Sequence, residues 1–234
     1  GCESGGDPKN IPDLTYENFL NFHRTYYHPS NSYIYLYGNM DMEEKLAFLD
    51  EHYLSHFDYL DVDSVIQEQK AFGACRDVTL EYPVAENEGE EDNTYLSYNM
   101  VVGNAADSQM AMAFEVLDYA LLSAPGAPLK QALLDVKAGK DVYGSYDDGI
   151  LQPYFTVIAK GSNPDRKEEF VSVIRQVLGD IVKNGIDKKA VEAGINYFEF
   201  RYREADFSSY PKGLMYSLDI LGDWLYESKA PFAQ

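Results

Sequence analysis

The chain has only two cysteines, four histidines and one tryptophan in 234 residues. Cys2 and Cys75 are too few for a disulfide framework or a four-thiolate zinc site, so free thiols in a reducing compartment are expected. Positive charge is scarce as well: 19 Lys and Arg stand against 39 Asp and Glu, a net charge of −20. That balance excludes nucleic acid and anionic membrane as partners, because phosphate binding needs clustered Lys and Arg. A cationic partner suits it better. No apolar run approaches the ~20 residues that span a bilayer, and no basic stretch precedes an apolar one. Neither a membrane helix nor a signal peptide is expected.

What is present is a globular composition. A hydrophobic fraction of 45%, with 20 Tyr and 12 Phe, excludes a disordered acidic tail, which lacks aromatics. At roughly 150 residues per domain, the length allows one large domain or one and a half smaller ones. The chain opens on Gly1 and runs through Glu3-Ser4-Gly5-Gly6-Asp7-Pro8, a loop composition with no element before it. This is expected of the middle of something longer.

Hydrophobic periodicity places the elements. Thr15 caps a helix carrying Phe19, Phe22, His23 and Tyr26 at helical spacing, and His28-Pro29-Ser30-Asn31 stops it. Tyr33–Tyr37 predicts a short strand, and Asp41 with Glu44 predicts a capped helix lined by Leu46, Leu49, Tyr53 and Phe57. Residues 58–76 lose periodicity and read as a connector between residues 1–57 and a second module, 77–234. In that module Val78, Leu80, Tyr82 and Val84 alternate as in a half-buried strand, with Pro83 placing it near an edge. An acidic loop, 86–92, leads to a strand from Thr94 to Val102. Helices are predicted over 108–122 and from Pro128 to Lys137, then strands at 141–147 and 151–160 joined by Asp147-Asp148-Gly149. Asn163 and Pro164 open a helix to Lys183, Asp187 starts one to about Arg203, and Pro211 begins the last, with Trp224. Hairpins with segregated helices make this an α+β fold, an antiparallel or mixed sheet with helices packed on one side.

No complete active site emerges from spacing. His52 and His56 lie four apart on a helix, the geometry of a zinc pair, but Tyr53, Leu54 and Ser55 between them supply no Glu to activate a metal-bound water. Two ligands are too few, so no metal site is assigned. His23 reads as a core or interface residue and His28 as a helix-terminal one. Ser4-Gly5-Gly6 and Gly144-Ser145 lack the spaced glycines and Lys of a phosphate cradle. Asp147-Asp148 reads as a turn, since neighbouring strand residues face opposite ways.

Several motifs together resemble one family. Ser4-Gly5-Gly6-Asp7-Pro8, Ile11-Pro12-Asp13-Leu14-Thr15-Tyr16-Glu17 and Phe22-His23-Arg24-Thr25-Tyr26-Tyr27-His28-Pro29-Ser30-Asn31 resemble the presequence-protease branch of the pitrilysin/insulinase metallopeptidases. Ser123-Ala124-Pro125-Gly126-Ala127-Pro128-Leu129, Asp147 to Phe155, Phe200 to Glu204, Tyr210 to Leu214 and Trp224-Leu225-Tyr226 are similar to that branch's second domain. The motifs run in the family's order over nearly the whole chain.

The resemblance implies a zinc endopeptidase of four related α+β domains, whose two halves enclose a chamber for short unstructured peptides. Its zinc ligands, on an inverted His-x-x-Glu-His helix, have no match here. The chain would be the end of the first domain (1–57), a connector (58–76) and most of the non-catalytic second domain (77–234). By itself it would bind no zinc and cleave nothing. Its partners would be basic or unstructured peptides and the remainder of its own chain. Its location would be the bacterial cytoplasm, or an organellar matrix in a eukaryote. The resemblance further implies an edge strand, beside a Gly-containing helix entry, that anchors the substrate's end; Gly126 and Ala127 match the entry and Val142, Tyr143 and Gly144 the strand. An edge strand with small residues lets a peptide backbone add to the sheet. Gly126 as a turn glycine and Gly144 as a strand bend remain the alternatives. A non-catalytic structural or binding subunit of the same fold is the second functional reading.

Overall fold

The computed structural model describes residues 5–204 and 209–226. Cys2 and Ser4 lie outside the described residues; Cys75 is a free, exposed thiol. The backbone divides into two compact units, residues 1–67 and 68–234.

In the first unit, helix α1 spans Tyr16–Tyr26 and helix α2 spans Met42–His52. Both start as their sequences dictate. Thr15 Oγ1 accepts the Asn18 N–H at 3.1 Å and Asp41 Oδ1 accepts the Glu44 N–H at 3.0 Å, each satisfying a donor the helix leaves open. His28-Pro29 ends α1 as expected, through a 3-10 turn over Pro29–Asn31. The strand expected at Tyr33–Tyr37 does not form. Its chain is extended, and the rings of Tyr35 and Tyr37 stack on one side (centroids 6.4 Å) as residues two apart do. Among the described residues of this unit, however, no strand offers its backbone the ladder that a sheet requires.

Among its described residues the second unit holds three strands: β1 (Thr94–Val101), β2 (Asp141–Asp147) and β3 (Tyr154–Ser162). They form an antiparallel sheet in the order β1-β3-β2, so β3 is central and β2 is an edge. Side-chain alternation sorts them by face. Leu96, Val142, Phe155, Val157 and Ala159 are buried on one face, while Tyr95, Ser97, Asn99, Tyr143 and Ser145 are exposed on the other. Helices α3 (Ser108–Asp118), α4 (Pro128–Asp135) and α5 (Lys167–Asn184) cover the apolar face. Their buried Leu129, Leu133, Phe170 and Ile174 complete the core with the strand residues. Helix α6 (Lys188–Glu204) packs on α3, and α7 (Lys212–Leu225) follows. The α+β class and the one-sided helix layer are as the sequence indicates.

Three further expectations, all in the second unit, need correction. Residues 78–84 are not a strand: Leu80 is 84% exposed, and no ladder partner is present among the described residues. The segment is held at Tyr82, whose hydroxyl donates to the Asn93 carbonyl and whose ring meets Tyr95 edge-on at 5.9 Å. Alternation alone does not make a strand when the backbone finds no neighbour. The helix expected over 108–122 changes pitch: after Asp118 the chain widens into a π turn, Tyr119–Ser123. Asn163 does not cap α5. Its amide instead clasps Asp92, donating from Nδ2 to Oδ1 at 2.8 Å and accepting the Asp92 N–H at 2.9 Å, and a 3-10 turn precedes Lys167.

Candidate functional site

The candidate residues lie around edge strand β2. Ala124-Pro125-Gly126-Ala127 turns through an Ala127 N–H to Ala124 carbonyl bond of 3.0 Å, and Pro128 then opens α4 at its first position. Gly126 has φ +74°, the left-handed region that favours glycine, and nothing lies within 4 Å of where its Cβ would be. It is exposed, whereas Ala127 is buried. On β2, Val142 is fully buried and Tyr143 is 38% exposed on the opposite face. Of these five residues only Tyr143 therefore presents side-chain surface; Gly126, Val142 and Gly144 offer a partner their backbone alone.

Gly144 is a glycine for a reason the sequence hid. A Cβ there would stand 2.2 Å from Leu122 Cδ1, 2.8 Å from Asp118 Oδ1 and 2.8 Å from the Thr156 carbonyl oxygen. The strand lies so close beneath the π turn that no side chain fits. On the other side of that turn the ring of Tyr119 stacks on Tyr197 of α6 (5.1 Å), where a Cβ on Gly194 would come within 3.2 Å of Tyr119 Cδ1. The π turn is thus seated between two glycines.

Two charged features escaped the periodicity reading. Asp118 ends α3 with Oδ2 accepting from Ser123 Oγ at 3.1 Å, while Oδ1 is shielded from solvent with no hydrogen-bond partner. Burial pushes its carboxyl above the usual carboxylate range. One turn earlier, burial raises Glu115, and the charge of Asp148 raises it further. Tyr202 donates to Glu115 Oε2 at 3.4 Å, and burial with the Glu115 charge pushes its hydroxyl up to about 12. Asp219 of α7 is raised by burial and by Asp148. The available signal was two acids three apart inside an apolar helical run.

The histidine pair gains no ligand shell. His52 ends α2 with its ring against Phe48 (4.6 Å), and His56 lies in a separate 3-10 turn. Among the described residues no group of three or more His, Cys, Asp or Glu side chains converges to hold a metal ion. Among them, too, no helix is long and apolar enough to cross a membrane.

Against this geometry, residues 13–198 match the family described as Peptidase M16 inactive domain. Protein HypA of Clostridium perfringens is 48% identical over 224 residues, covering 96% of this chain and 23% of that protein. Presequence protease 1, chloroplastic/mitochondrial, of Arabidopsis thaliana is 35% identical over 231 residues, covering 97% of this chain and 21% of the relative. The chain thus spans about a fifth to a quarter of the length of these relatives. In fold it is similar to an M16-like peptidase from Alicyclobacillus acidocaldarius, with a TM-score of 0.64 and 17% identity over 98% of this chain and 52% of that one. A protease from Helicobacter pylori is comparable, with a TM-score of 0.62 and 16% identity over 96% of this chain and 53% of that one. Family match, relatives and fold agree: the chain belongs to the M16 peptidase family, and its match is to the family's inactive domain.

Proposed function

We infer that this chain is the non-catalytic part of a longer zinc endopeptidase, in which it walls a peptide-degrading chamber and anchors an extended peptide on strand β2. Residues 1–57 are the end of the first domain, 58–76 the connector and 77–234 the second domain. The observation that carries this reading is the position of β2 at the sheet edge. An edge strand presents unpaired backbone N–H and C=O groups to which a peptide adds as a further strand. Val142 and Gly144 take part through backbone, Tyr143 through its exposed ring, and the Gly126-Ala127 turn borders the site. The net charge of −20 favours basic peptides and raises their encounter rate at low salt. The Arabidopsis relative is a presequence protease, which supports peptides as the substrate class. Zinc belongs to the longer enzyme, on residues outside this chain.

The description of the matched family as an inactive domain favours a second reading, a non-catalytic subunit of the same fold. The residues upstream of Gly1 separate the two: an intact His-x-x-Glu-His supports the peptidase and its loss the subunit. For peptide anchoring, a photo-reactive phenylalanine analogue is placed at position 143 or, as the opposite-edge control, at 95; both tyrosines are exposed. An unstructured lysine-rich peptide is expected to cross-link at 143 and not at 95. Equal labelling at both positions, or none at 143, contradicts the reading.

A further inference from the structure

The end of α3 is built at a cost that packing alone does not explain. The chain leaves α-helical pitch at Asp118 for a π turn closed by an Ala124 N–H to Tyr119 carbonyl bond of 2.7 Å. Such inserted turns are rare and recur at functional sites. A carboxylate, that of Asp118, is then placed where its surroundings disfavour it. Its Oδ1 is buried without a partner, a state that costs free energy and calls for an explanation. The same burial raises its pKa. An apolar residue of similar size would avoid that cost.

What the carboxylate does have is a position. Oδ1 occupies the notch left by the side chain that Gly144 lacks, 2.8 Å from where that Cβ would be. Oδ2 accepts from Ser123 Oγ across the π turn. Ser123 is the last residue of that turn, and Ala124 begins the turn that leads to Gly126 and α4. One side chain therefore links strand β2 to the start of the Ala124–Ala127 turn.

We propose that Asp118 is a positioning residue, whose carboxylate, seated over Gly144 and bonded to Ser123, locks the π turn and so fixes the Ala124–Ala127 turn beside the β2 edge. The role rests on the reading of β2 as the peptide-anchoring edge and deepens it. Asp118 acts through the turn and does not touch the peptide.

The test uses the 234-residue chain with Ser123→Ala, Asp118→Ala and Asp118→Asn, read by amide exchange at Ala124 and by cross-linking of the lysine-rich peptide at position 143. Ser123 is exposed, so Ser123→Ala folds even if Asp118→Ala does not. Ser123→Ala is expected to speed exchange at Ala124 by roughly five- to tenfold, the worth of one ordinary hydrogen bond, and to lower cross-linking several-fold. Asp118→Asn, which still accepts from Ser123, is expected to restore both. Unchanged exchange at Ala124 in Ser123→Ala overturns the lock, as does Asp118→Asn failing like Asp118→Ala. Faster exchange with undiminished cross-linking overturns the positioning role and leaves Asp118 purely structural. If the wild-type chain shows no peptide at position 143, the edge-strand reading fails and the positioning role with it, while exchange at Ala124 still reports on the lock.

Discussion

The two units use the same side chains to opposite effect. In residues 68–234, helices α4 and α5 turn Leu129, Leu133, Phe170 and Ile174 onto a sheet and bury them almost completely. In residues 1–67, α1 and α2 carry comparable apolar residues, yet no described residue is buried: Phe19 is 63% exposed and Phe22 is 59% exposed. Caps are not the difference, since Thr15 and Asp41 both make the expected bonds. The difference is an opposing surface. An amphipathic helix gains most of its stability from what covers its apolar stripe, and only the second unit provides a cover within itself.

The largest expected effect tests that contrast directly. Phe170→Ala is expected to remove ~3–5 kcal/mol from urea-induced unfolding, the usual cost of emptying a core aromatic site. Phe22→Ala is expected to cost under ~0.5 kcal/mol, as an exposed substitution does. Similar costs for the two would erase the distinction between the units.

A smaller effect separates the two glycines of the candidate site. Gly144→Ala forces a Cβ against Leu122 and the Thr156 carbonyl and is expected to cost ~1–3 kcal/mol through overpacking. Gly126→Ala meets no neighbour and is expected to cost only ~1 kcal/mol, for the left-handed backbone. Thermal unfolding of both variants ranks them; the reverse order would mean that the π turn does not press on β2.

The smallest is a pH effect confined to the second unit. Burial and neighbouring acids raise Glu115, Asp118 and Asp219. A carboxyl whose folded pKa exceeds its unfolded value disfavours folding while ionised. That penalty fades as pH falls through the folded pKa and is gone below the unfolded one. These three groups are therefore expected to add stability as pH drops from neutral into the carboxylate range, against the opposite contribution of Asp92, whose carboxyl is held low by Asn163 and Lys140. Glu115→Gln is expected to raise stability at neutral pH and flatten part of this rise. A variant that is less stable at neutral pH, with the wild-type slope kept, would contradict it.

Much of the architecture was legible in the sequence, because caps, turn residues and periodicity are local signals. Thr15, Asp41 and Pro128 mark helix limits where the structure has them. The failures share a non-local cause. Val78–Val84 alternates like a strand and Tyr33–Tyr37 is rich in strand formers, but pairing depends on a neighbour that no local pattern reports. Asn163 looked like a cap until Asp92, far off in sequence, took its amide. For the site, the resemblance singled out Gly126 and Gly144 without giving their reasons. Gly126 answers to its own φ, which is local. Gly144 answers to Leu122 and Asp118 from another element, and the buried oxygen of Asp118 could be found only in three dimensions.

The central claim is that a peptide joins this molecule by adding a strand to β2. Amide hydrogen exchange of the chain, with and without the lysine-rich peptide, tests it most directly. The expected result is new protection within residues 141–147 and none within 94–101, the other sheet edge. Protection of β1 instead, or binding without protection of either edge, would contradict it.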